Sequence, residues 1–128
     1  MKQQSTKKTI ITLIALAVGG LHFVTGESYR GPYPVFVNGY LIDILLPMVM
    51  VLLMGLIEIK WIRTTVFRAT AVFLFGCTVE AFQYLGHPLL GNTFDPLDIL
   101  AYGAGVELGA LLDLRIFPRY IPKWNETR

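Results

Sequence analysis

Four apolar runs, each near the ~20 residues a helix needs to cross ~30 Å of hydrocarbon, constrain this chain more than any other feature. They occupy residues 9–26, 40–57, 66–86 and 97–117 of a 128-residue sequence. Only 16% of the chain is charged and its mean hydropathy is +0.55. A soluble domain carries roughly a quarter charged residues. Backbone groups in lipid must bond within their own segment, so each run is expected to be a helix. The expectation is an all-α fold: one four-helix transmembrane bundle over residues 1–128, with a basic tail at 118–128.

The first run could instead be a signal peptide, with Lys7 and Lys8 as its basic start and Ala15-Leu16-Ala17 as a cleavage site. The apolar stretch before Ala15 is too short for that, and hydrophobicity continues to Val24. An uncleaved helix is the better reading. The single cysteine, Cys77, excludes an internal disulfide.

Basic residues set the orientation. Lys2, Lys7 and Lys8 precede the first helix. Lys60, Arg63 and Arg68 fall between or just inside the second and third. Arg115, Arg119, Lys123 and Arg128 close the chain, and Arg30 alone lies on the other side. This bias predicts both termini in the cytoplasm. The tail mixes Arg119 and Lys123 with Phe117, Tyr120 and Trp124, and is expected to lie along the inner interface as an anchor. The net charge of +2 gives no reason to expect nucleic acid.

Polar residues then mark places topology does not explain. Glu80, Gln83, Tyr84 and His87 recur at helical spacing along one stripe of the third helix. Further along, that stripe carries Cys77, Gly76, Phe73 and Ala69. Asp98, Ala101, Tyr102, Gly105 and Gly109 share a stripe on the fourth. Ala101, Gly105 and Gly109 form a small-xxx-small contact surface. The simplest arrangement packs the third and fourth helices against each other along these stripes. Glu80 would lie roughly 6–9 Å below the outer boundary at ~1.5 Å per residue, near Asp98 and Tyr102. Asp43 and His22 reach the same layer from the second and first helices. Intramembrane ionisable groups usually face a bundle interior or cavity. An outward polar chamber of His22, Asp43, Glu80, Gln83, Asp98 and Tyr102 is therefore expected.

Blander roles compete. Asp95 with Pro96 reads as a helix start, an N-cap followed by proline at the first turn. Asp98 then sits where the helix dipole favours an acid. Glu107, near mid-membrane on the opposite face, reads as a hydrogen-bonded carboxyl facing another helix or a second subunit. A metal site from His22, Glu80, His87 and Asp98 lacks any tight ligand motif, so no metal or other cofactor is expected.

The succession Glu80-x-x-Gln83, a short loop, Asp95-x-x-Asp98 and Gly105-x-x-x-Gly109 resembles the VanZ-like family of small bacterial membrane proteins. The resemblance covers the second half of the chain in motifs and the whole in hydropathy. It implies a multi-pass protein of the bacterial inner (cytoplasmic) membrane with acidic and amide residues near its outer face. It implies no reaction. The family often has an Arg shortly before the acidic pair and an Asn four residues after it. Here Asn92 and Tyr102 stand at those places.

Three functions fit these residues. One is a binding or accessory role in the cell envelope. Another is an enzyme on an envelope lipid or lipid-linked precursor, with Glu80 as general acid or base and Asp98 and His87 assisting. The third is ion or proton movement, which four short helices could support only as a homo-oligomer or around a shallow cavity.

Overall fold

A computed structural model describes residues 2–25, 29–87, 95–121 and 124. The architecture is all-α. Its helices are α1 (Lys2–Thr25), α2 (Pro34–Phe36), α3 (Ile42–Met54), α4 (Thr65–Tyr84), α5 (Pro96–Leu111) and α6 (Phe117–Tyr120). A π turn at Val37–Leu41 joins α2 to α3, and a second at Leu112–Ile116 joins α5 to α6. A 3-10 turn at Lys60–Arg63 precedes α4. Two helical stretches, Ser5–Val24 and Thr65–Tyr84, are long and apolar enough to cross a membrane; Ile42–Met54 is apolar but shorter.

Helix ends have local causes. Asp95 starts α5 by accepting the Leu97 N–H at 3.0 Å, with Pro96 at the first helical position. At the end of α4, the Gly86 N–H bonds the Gln83 carbonyl and the His87 N–H bonds the Phe82 carbonyl. Gly86 has φ +84°, so this is a Schellman turn, which needs the left-handed conformation glycine adopts freely. The third helix therefore stops at Tyr84, and His87 leaves the stripe that uninterrupted periodicity assigns to it.

Helix α3 is the centre of the packing, touching α1, α4 and α5. A side chain at Gly105 would run into the Ile44 carbonyl. One at Gly109 would come within 3.0 Å of the Met48 carbonyl and 3.1 Å of the Val51 side chain. The small-residue stripe of α5 thus closes on α3, the second apolar run, rather than on α4 as expected. Close approach goes to the helix whose backbone lies nearest, and α3 presents backbone there. Contact between α4 and α5 is made differently, with the Tyr102 ring lying over Gly76. Val51, Val72 and Val106 fill the space where α3, α4 and α5 meet.

The core is apolar, but so is much of the surface, and several charged side chains are buried. Leu16, Phe23, Val66, Leu74 and Leu100 are exposed, Phe23 to 90%. Lys7, Arg68, Glu80 and Asp113 are buried. Charged side chains are almost never fully buried in soluble proteins unless paired, and here they gather at the two ends of the bundle.

Candidate functional site

One polar cluster forms where α4 ends and α5 begins. Glu80 has no exposed surface. Its Oε1 accepts the Tyr102 hydroxyl at 3.1 Å, and its Oε2 accepts the Asp95 backbone N–H at 3.4 Å. Asp95 does more than cap its helix, because its Oδ2 also accepts the Tyr40 hydroxyl at 2.7 Å. One residue thereby ties the entry of α3, the last turns of α4 and the start of α5. The side chains of Asp43 and Asp98 lie close together, within the field of Glu80 and Asp95. Gln83 is half-buried one turn beyond Glu80.

Beside this cluster a cleft of about 90 Å³ opens between α3 and α4. Asp43 and Tyr102 give it a polar end; Met50, Val72, Phe75 and Val79 line the remainder. Pro47 also lines it and has no N–H for the Asp43 carbonyl, its partner in a regular helix. An apolar cavity of ~150 Å³ holds benzene. The cleft has room for a narrow chain or a small polar head, and too little for a sugar ring.

Of the residues expected in the chamber, Asp43, Glu80, Asp98 and Tyr102 come together. His22 is exposed on the last turn of α1 and is not brought into this cluster. His87 is exposed past the Schellman turn, edge-on to Phe82 with ring centroids 6.3 Å apart. Among the described residues no group of three or more His, Cys, Asp or Glu is placed to hold a metal ion. Asn92 lies outside the described residues. Tyr40 was missed by sequence reasoning; it stands one turn before Asp43, a spacing that could have found it.

A second cluster at the opposite end was also missed. Arg68 on α4 is 1% exposed and pairs with Asp113, which is 1% exposed in the π turn after α5. The Thr65 hydroxyl donates to Asp113 at 2.8 Å and accepts from Arg68 at 2.8 Å. Trp124 donates its indole N–H to the other Asp113 oxygen at 2.9 Å, and the Lys7 ammonium lies 4.8 Å from the Trp124 ring centroid. Gly55 leaves room for this group, since a side chain there would meet the Arg68 guanidinium. Trp124 is therefore a core residue packed with Ile11 and Leu52, not an interfacial anchor. Lys7 and Arg68, read from sequence as orientation charges, are buried structural partners.

Compared with protein-family models, curated proteins and solved structures, the chain matches none.

Proposed function

We propose that this chain is a four-span membrane protein with both termini in the cytoplasm, VanZ-like in its motif pattern, in a bacterial inner (cytoplasmic) membrane. Its role is binding or accessory, with the outward cluster of Asp43, Glu80, Asp98 and Tyr102 as the seat of an envelope lipid or its precursor. The apolar surface, together with the buried charges, carries the membrane part of this reading. In water, a surface bearing Phe23, Leu16, Leu74 and Leu100 forms the apolar patches that mark an interaction surface. In lipid it costs nothing, and the buried Arg68–Asp113 and Glu80–Tyr102 pairs are what a bundle interior requires. The short α3 is extended toward the bilayer thickness by the helical turns before it.

The cleft supports the binding part. It offers a polar end at Asp43 and Tyr102 and an apolar wall, the two chemistries of an amphiphile. The burial of Glu80, with both oxygens engaged, weighs against the acid–base reading.

Two measurements test this. The chain should remain in membranes through alkaline-carbonate extraction. In a Cys77→Ser background, an impermeant maleimide should label Val35→Cys on intact spheroplasts and Trp61→Cys only after lysis. Release by carbonate, or equal labelling of both, refutes the membrane reading. Lipids co-purifying with the chain and with Asp43→Asn should differ by one class, and identical profiles refute the binding role.

A further inference from the structure

The exposed face of α5 has a regular order. Leu97, Leu100, Ala104, Glu107 and Leu111 are all exposed, and their spacing alternates three and four residues. That is the a/d seam of a left-handed coiled coil, in which such positions insert between those of a partner helix. From Leu97 to Leu111 the seam runs about 21 Å at ~1.5 Å per residue, some two-thirds of the ~30 Å hydrocarbon thickness. Every position is aliphatic except Glu107.

Glu107 says what the seam faces. Among the described residues no hydrogen bond or ion pair reaches it. A lipid-facing carboxyl halfway across a bilayer is strongly disfavoured. The exposed face of α4, running through Val66, Thr70, Leu74, Thr78 and Phe82, carries no acid or base, so bare lipid suffices there. Of these two faces, α5 is the one that requires a polar partner at one level. Copies inserted with the same orientation bring their α5 helices together in parallel, so each seam residue meets its own counterpart across a two-fold axis. Glu107 then faces the second copy's Glu107, and a carboxyl is hydrogen-bond complementary to a carboxyl. A single polar residue within an apolar seam fixes register and the number of strands.

We infer that the chain forms a parallel homodimer through the 97–111 seam of α5, with Glu107 meeting its counterpart within it. The orientation of the copies and the burden on Glu107 rest on the membrane reading above; the seam itself does not.

Disulfide cross-linking in native membranes tests the pairing. In the Cys77→Ser background, Leu100→Cys and Leu111→Cys should each oxidise to a species of twice the chain mass. Leu74→Cys, exposed on α4, should not. Adding Glu107→Ala to Leu100→Cys should reduce the cross-linked fraction several-fold, whereas Glu107→Gln, which can still bond to its counterpart, should retain it. Seam cysteines that cross-link no better than Leu74→Cys, or that form adducts with a different protein, overturn the inference. Protein that is soluble yet cross-links selectively at the seam would overturn the membrane reading and leave the dimer standing.

Discussion

Trp124 donates its indole N–H to the buried carboxyl of Asp113, 2.9 Å away and eleven residues back along the chain. This bond closes the end of the bundle that Lys7, Thr65 and Arg68 also reach. Replacing Trp124 with Phe keeps a ring against Phe117, whose centroid lies 4.6 Å away, and removes the donor along with part of the ring surface under Lys7. Hydrogen bonds to charged groups contribute about 1.5–3 kcal/mol. Trp124→Phe should lose about that much, and Trp124→Ala about 3–5 kcal/mol, measured by thermal unfolding in detergent.

The Arg68–Asp113 pair gives a sharper test. Arg68→Met alone leaves Asp113 charged and buried, at a cost of about 3–5 kcal/mol. Asp113→Leu alone strands Arg68 in the same way. The double variant removes both charges and should be markedly more stable than either single one. A double-mutant cycle measures the coupling, and additive losses would show that the two residues act independently.

Glycines of α5 should divide by what lies against them. Gly105→Ala forces a methyl group into the Ile44 carbonyl, which cannot yield without moving α3. A loss of about 1–3 kcal/mol or more is expected from such overpacking. Gly103→Ala places its methyl group 3.5 Å from the Phe73 ring, an ordinary contact. It should be neutral or gain up to ~1 kcal/mol from helix propensity. Helicity and thermal midpoints of the two variants should therefore move in different directions.

Tyr102→Phe removes the hydroxyl that donates to Glu80 Oε1. The carboxyl is without exposure, so about 1–3 kcal/mol should be lost. Tyr40→Phe leaves Asp95 still bonded to the Leu97 N–H and should cost less. Protease susceptibility of the 85–95 connection compares the two, and a larger effect from Tyr40→Phe would show that Asp95, rather than Glu80, depends more on its tyrosine.

Local chemistry was legible in the sequence where it depended on neighbours. Asp95-Pro96 announced the start of α5 because capping acts over two or three residues. Ala101, Gly105 and Gly109 announced a close helix contact because small side chains at helical spacing let two backbones approach. The choice of α3 over α4 as their partner depends on three-dimensional packing that periodicity does not encode. Gly86 could have ended the third helix on paper, and passing over it carried His87 onto the wrong face. Arg68 and Asp113 stand 45 residues apart, and nothing in hydropathy pairs them. Lys7 and Trp124 were hidden for the same reason, since a charge or an indole beside an apolar run looks like an interfacial residue from one dimension. The acids near α3, α4 and α5 were found, but the role of Asp95 as their common link needed the fold.

The order of chain growth gives the long-range pairing a further consequence. Lys7 is synthesised long before Trp124, Arg68 before Asp113, and Glu80 before Asp95 and Tyr102. Each of these early polar residues leaves the ribosome without the group that will satisfy it. The closing partners all lie in the last third of the chain. A chain cut before Asp95 therefore lacks the Asp113 carboxyl for Arg68 and both donors to Glu80, although Thr65 remains beside Arg68.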